Sequence, residues 1–283
     1  MSISNAFIIG AGQMGAGIAQ VLASVGIKVC LFDMNPDQLK LAVSGIEKSL
    51  LKLSEKGKID SNSVSKTMVN ISTNNELPST LDFDLILEAV IENIDIKKKL
   101  IESLHGKARS DSIIATNTSS LSITRIAESA PDPEKVIGMH FMNPVPLMGL
   151  VEIIRGLQTS NECYSEVVDL TKRLGKVPIT AEKDYPGFIV NRILVPMINE
   201  AFFVLMEGIA SPEDIDNAMR LGTNQPMGPL ALADFVGLDT CLFITETFHR
   251  ELGEDKYRPC PLLRKYVEAG WFGRKSGRGV YSY

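Results

Sequence analysis

Short apolar runs alternate with longer amphipathic stretches through the first two thirds of the chain, and this alternation predicts its layout. Ala6–Gly10, Val29–Asp33, Val69–Thr73, Asp84–Ala89, Ser112–Thr116 and Val136–His140 read as strands, several of them apolar enough for burial on both faces. Leu150–Ile154 and Val177–Thr180 extend the set toward its far edge. Between the strands, Pro36–Glu55 sets Leu39, Val43, Ile46, Leu50 and Leu53 at three- and four-residue steps, the spacing of one helix face. Strand and helix in alternation predict βαβ units, an α/β fold with a mostly parallel sheet.

The alternation ends at Asp184-Tyr185-Pro186-Gly187. Phe188–Met206, Pro212–Arg220, Pro229–Thr247 and Pro261–Ala269 then read as helices, with prolines or acidic residues near their starts. The expected division is therefore an α/β domain over residues 1–185 and an all-α C-terminal domain over residues 186–283. In Phe188–Met206 apolar residues occupy every face, a pattern of buried helices. Packing against a symmetry mate in a homodimer accommodates it, as does complete burial in one subunit; Pro196 is expected to kink this helix.

Composition narrows the partners. With 29 basic and 34 acidic residues the net charge is −5, which disfavours nucleic acid as a partner. No apolar run reaches membrane-span length. The four cysteines form no CxxC pair, so neither a metal site nor a disulfide framework is expected. No signal peptide is visible at the N-terminus. The expectation is a soluble protein of a reducing, cytoplasmic compartment.

The first predicted strand runs directly into Gly10-Ala11-Gly12-Gln13-Met14-Gly15, followed by the helix-like Ala16–Ser24; Asp33 ends the second strand. Each part has a task in a Rossmann-like dinucleotide site. Gly10 makes the tight turn, and Gly12 lets backbone approach a pyrophosphate. Gly15 allows close helix–strand packing, and Asp33 accepts from ribose hydroxyls. Gln13 and Met14, within the turn, are expected to contact the same cofactor. The alternative is a glycine-rich turn with a surface aspartate. A 2′-phosphate at ~5 Å from Asp33 meets repulsion of roughly 3 kcal/mol per unit charge at an effective dielectric of ~20. No Arg or Lys in Asp33-Met34-Asn35-Pro36-Asp37 offsets it, so NAD is the expected cofactor.

Hydride chemistry at a carbinol needs a group for the hydroxyl proton, most often histidine. Of the three histidines, His105 before Gly106 reads as a surface residue at a helix C-terminus, and His249 as part of a solvated helix face. His140 ends a buried strand on the side where open α/β sheets hold ligands. It reads either as a catalytic base or as a satisfied core histidine.

His140-Phe141-Met142-Asn143-Pro144-Val145-Pro146-Leu147-Met148 and the following Leu150-Val151-Glu152-Ile153-Ile154 resemble the signature of the L-3-hydroxyacyl-CoA dehydrogenase family, including its bacterial 3-hydroxybutyryl-CoA dehydrogenases. The resemblance covers essentially the whole chain: GAGQMGAGIAQ, LILEAVIENIDIKKKL, ATNTSSLSI, DYPGFIVNRILVPMINEA, QPMGPLALADFVGLD and WFGRKSGRGVYSY fall in order. It implies an NAD-dependent enzyme acting on acyl-CoA substrates, standing alone without a hydratase domain.

The resemblance makes His140 the base for the 3-hydroxyl proton and Glu152 its orienting carboxylate. Ser119 and Asn191 are implied as contacts to the substrate oxygen. From the residues alone, Ser119 reads equally as a helix N-cap, and Asn191 as a polar group satisfied by nearby backbone. Glu92, Lys97, Asn143 and Lys275 match positions at the nicotinamide end of the cofactor, and Ser49 and Lys56 match CoA contacts. Lys97 also reads as part of a solvated face with Lys98 and Lys99. Met142, Val280 and the segment Leu221–Pro226 depart from the family pattern, which leaves acyl-chain preference open. Two rivals remain: a dehydrogenase of a free hydroxy acid such as L-gulonate, and a non-catalytic NAD sensor. The combination of Ser119, His140, Glu152 and Asn191 argues against the sensor.

Overall fold

The computed structural model describes residues 3–283. They fall into two compact units, one ending at Asp184 and the other spanning Tyr185–Tyr283.

The first unit carries one eight-stranded sheet. Its strands are β1 (Asn5–Ile9), β2 (Lys28–Phe32), β3 (Ile71–Asn74), β4 (Leu85–Glu88), β5 (Ile113–Thr116), β6 (Val136–Phe141), β7 (Leu150–Ile154) and β8 (Val177–Ala181). They lie in the order β3-β2-β1-β4-β5-β6-β7-β8. Every neighbouring pair is parallel except β6 and β7. The helices are α1 (Gln13–Ser24), α2 (Pro36–Glu55), α3 (Asn62–Met68), α4 (Ile94–Glu102), α5 (Ile123–Ala127) and α6 (Asn161–Arg173). This is the Rossmann-like α/β arrangement expected, and the strand order reverses at β1–β4, the position where such sheets open a crevice.

The sequence explains the placement. Strands β4, β5 and β6 are buried at every position, so their apolar runs meet helices on both faces. The core joins Ile8, Leu31, Leu87 and Met139 of the sheet to Ile18 and Leu22 of α1 and to Ile46 and Leu50 of α2. α2 begins where Asn35 accepts the Asp37 N–H at 3.0 Å, with Pro36 at its first position. The expected strand Val69–Thr73 is displaced, because Val69 closes α3 and pairing starts at Ile71.

The second unit is helical: α7 (Val190–Met206), α8 (Pro212–Gly222), α9 (Pro229–Val236), α10 (Leu238–Leu252) and α11 (Pro261–Glu268). Ile198, Phe202, Leu230, Leu238 and Leu263 form its core. Two expectations are corrected here. The single helix Pro229–Thr247 is two helices, because Gly237 has φ +106° and breaks the backbone path. α7 starts at Val190 rather than Phe188, whose φ of +50° lies outside the right-handed helical region. α7 continues through Pro196. Among the described residues no helix is long and apolar enough to cross a membrane.

Candidate active site

The turn after β1 has the shape its glycines imply. Gly10 has φ +104°, and a Cβ there would lie 2.7 Å from the Ala89 carbonyl oxygen. A Cβ on Gly15 would lie 1.8 Å from the Gly10 carbonyl oxygen, so α1 packs closely only because Gly15 has no side chain. Around Gly12 no atom comes within 4 Å of that position. Gly12 caps α1 without a side-chain hydrogen bond, and no acidic residue sits in the first turn. The N–H groups of Gln13, Met14 and Gly15 therefore lack intrahelical acceptors beside an open face. Asp33 stands at the end of β2, with Oδ2 accepting the Ala11 N–H and Oδ1 the Asn35 N–H, both at 2.9 Å. An open helix N-terminus with a fixed carboxylate beside it fits a dinucleotide.

A second group of polar residues gathers at the ends of β4 and β5. Lys97, in the first turn of α4, is 1% exposed rather than on a solvated face; Lys98 pairs instead with Glu128. The Lys97 ammonium donates to both Glu88 oxygens, at 2.5 and 2.8 Å, and lies 3.4 Å from Glu92. Thr116 donates to Glu88 as well, at 2.8 Å. Burial pushes the Glu88 carboxyl up, against the opposing pull of Lys97. Glu92 Oε1 accepts the Ser119 N–H at 2.7 Å, the Ser119 hydroxyl at 3.2 Å and the Thr118 hydroxyl at 2.5 Å. Ser119 is not an N-cap: Ser122 caps α5 through the Arg125 N–H, because the chain turns once more before the helix begins. Glu92, Lys97 and Ser119 thus share one cluster, to which Glu88 and Thr116 are additions. Glu88 was visible in principle, since an acid closing the buried run Leu85–Leu87 requires a partner.

His140 and Glu152 are direct cross-strand neighbours in the antiparallel pair β6–β7. His140 Nδ1 lies 2.7 Å from Glu152 Oε2, with the carboxylate side chain fully buried and the imidazole side chain 9% exposed. Asn117 reaches across from the end of β5, its Oδ1 accepting the Phe141 N–H at 2.9 Å. The loop after β6 is held by Lys176, which sequence reasoning also missed. Its ammonium donates to the carbonyls of Val145 and Met148 at 2.7 and 2.6 Å, and burial pushes its pKa down.

Two further residues join the glycine turn. Ser49 on α2 and Asn143 after β6 line one cavity of about 390 Å³ together with Gly12 and Gln13. Lys56 is an exposed residue at the C-terminus of α2. Asn191 lies in the first turn of α7. Lys275, in the tail, donates to Asp239 at 2.6 Å. His105 is exposed and meets the Ser129 carbonyl at 3.1 Å, and His249 lies 3.7 Å from Asp255.

A mostly parallel sheet with an open glycine turn and an acid closing the second strand has the form of a dinucleotide-binding domain. The chain matches the family description "3-hydroxyacyl-CoA dehydrogenase, NAD binding domain" over residues 5–185. It matches "3-hydroxyacyl-CoA dehydrogenase, C-terminal domain" over residues 187–283. It is 50% identical over 283 residues to the probable 3-hydroxybutyryl-CoA dehydrogenase of Bacillus subtilis, covering 100% of this chain and 98% of that one. The human mitochondrial hydroxyacyl-coenzyme A dehydrogenase is 44% identical, with coverage of 99% and 91% respectively. The crystal structure of (S)-3-hydroxybutyryl-CoA dehydrogenase from Ralstonia eutropha superposes with a TM-score of 0.95 at 48% identity, covering 100% of this chain and 99% of that one. The chain belongs to the 3-hydroxyacyl-CoA dehydrogenase family and carries its NAD-binding domain.

Proposed function

We propose that this protein interconverts (3S)-3-hydroxyacyl-CoA and 3-ketoacyl-CoA thioesters, with 3-hydroxybutyryl-CoA and acetoacetyl-CoA as the short-chain pair. The observation that carries the reading is the contact of His140 Nδ1 with the buried Glu152 carboxylate, 2.7 Å away, in a chain of this family. Bound NAD supplies the acceptor for the C3 hydride, and NADH its donor in reverse.

His140 accepts the 3-hydroxyl proton at Nε2 as the C3–O bond becomes a carbonyl, and returns it in reduction. Glu152 accepts from Nδ1–H, which fixes the tautomer and stabilises the imidazolium. Asn191 donates to the C3 oxygen, and the Ser119 hydroxyl turns from Glu92 to donate to it when substrate binds. Gly10, Gly12, Gly15 and the backbone of Gln13 and Met14 hold the pyrophosphate, and Asp33 the adenosine ribose. Glu92, Lys97, Asn143 and Lys275 serve the nicotinamide end, and Ser49 and Lys56 the CoA moiety.

The helical unit is assigned a substrate and homodimerisation role. Support comes from α7, where Ile193 is 69% exposed in a helix otherwise rich in buried apolar residues. Sedimentation of the intact chain reads this directly, a monomer at micromolar concentration counting against it. Four unbridged cysteines suit a reducing, cytoplasmic compartment. The function itself is tested by NADH oxidation with acetoacetyl-CoA, longer 3-ketoacyl-CoA thioesters and free 3-keto acids. Turnover of the thioesters, fastest with the four-carbon acyl group, is expected; preference for a free acid contradicts the reading.

A further inference from the structure

Helix α1 turns one face toward α2 and the loop that follows β6, and two cavities lie along that face. One has a volume of about 390 Å³ and the other about 260 Å³, and Gln20 and Pro146 line both. Gln20 is 3% exposed, and its side-chain amide makes no hydrogen bond to any described residue. Buried amides are almost always paired. Here the partner has to come from whatever fills the cavities.

The walls restrict that occupant. Ala42, Ile46, Val145 and Pro146 make the larger cavity mainly apolar, and no lysine or arginine lines it. The Gln38 amide nitrogen is already committed to the Ala11 carbonyl at 2.9 Å. In the smaller cavity the one cation, Lys176, is committed to two backbone carbonyls. A phosphate-bearing nucleotide finds countercharge only at the N-terminus of α1, where Gly12 and Gln13 close one end of the larger cavity, and no uncommitted cation lines the rest of either cavity. A glutamine amide offers both a donor and an acceptor, so it can pair with either the C=O or the N–H of a secondary amide. Of the parts of an acyl-CoA thioester, the pantetheine arm is the thin, largely apolar one that carries secondary amides. The acyl chain carries none.

We propose that Gln20 is a substrate-binding residue that hydrogen-bonds an amide of the pantetheine arm, which runs in the groove between α1, α2 and the loop ending at Met148. The assignment rests on the acyl-CoA reading above. Loss of one such neutral pairing corresponds to about tenfold in kcat/KM.

The test compares the intact protein with Gln20→Met, which keeps the length and removes the amide, using acetoacetyl-CoA and acetoacetyl-pantetheine. The expected result is an equal fall of about tenfold in kcat/KM for both thioesters, with KM for NADH unchanged. Gln20→Glu, of the same shape but without the donor, gives the same reading if the methionine variant does not fold. A loss confined to acetoacetyl-CoA places the contact on the nucleotide and overturns the assignment. So does a rise in KM for NADH, or no change at all, which leaves only solvent in the groove. A wild-type protein that turns over neither thioester overturns the proposed function itself, a failure distinct from the others.

Discussion

His140 and Glu152 stand opposite each other on antiparallel strands, and the imidazole Nδ1 meets the carboxylate at 2.7 Å. Antiparallel register, not chain proximity, makes the pair, because β6 and β7 are joined through a connection of residues 142–149. A fully buried carboxylate needs such a partner. Glu152→Gln keeps the shape and removes the charge that stabilises imidazolium. Turnover of acetoacetyl-CoA is expected to fall at least about tenfold, with NADH affinity unchanged. Wild-type turnover in this variant would separate the carboxylate from catalysis.

The fingerprint glycines divide their tasks, and substitution separates them. Gly15→Ala forces a methyl to within 1.8 Å of the Gly10 carbonyl oxygen, so loss of several degrees in Tm is expected. Gly12→Ala meets no protein atom within 4 Å, so its Tm stays near wild type while NADH affinity drops about tenfold or more. Melting curves and fluorescence titration of both variants decide the point. Equal Tm losses would contradict it.

The role proposed for Asp33 bears on cofactor choice, and its carboxylate is held in place by the Ala11 and Asn35 N–H groups. Specificity measured as kcat/KM is expected to favour NADH over NADPH by at least about tenfold. Asp33→Ala should narrow the ratio. Equal use of the two cofactors by the wild type would defeat the electrostatic argument.

Acid stability has a specific contributor at the other end of the sheet. Burial raises the Asp84 carboxyl, but the Ser4 backbone and hydroxyl and the Arg109 guanidinium outweigh it and hold the carboxyl at about 2, below its ordinary 3.8. A depressed folded-state value gives stability that is present above the ordinary value and lost as pH falls toward the folded one. Allowing for solvent screening, Asp84→Asn is expected to cost about 1–2 kcal/mol at pH 7. Denaturant titrations should show the gap closing between about pH 4 and pH 2. A gap independent of pH would remove Asp84 from the account.

The sheet was readable because its strands are apolar runs buried throughout, and α2 because Asn35 and Pro36 mark its start. What escaped was backbone geometry without a residue signature and polar contact made by topology. Phe188 adopts φ +50° although nothing about phenylalanine predicts it, and Gly237 breaks a helix that a glycine can also occupy. Glu88 and Lys97 meet because β4 leads into α4 across the sheet's end, and Lys176 reaches the loop after His140 from the start of β8. In each case the residue was in plain view and its partner was not. The His140–Glu152 pair was named only through the family resemblance, since neither residue by itself distinguishes a catalytic role from core packing.

The most direct measurement is single-turnover reduction of acetoacetyl-CoA by NADH in the wild type and in His140→Ala. A general base contributes about 10²–10⁴-fold. The variant is expected to bind NADH with wild-type affinity and to lose at least about a hundredfold in the hydride-transfer rate. A variant that folds, binds NADH and turns over near the wild-type rate would contradict it.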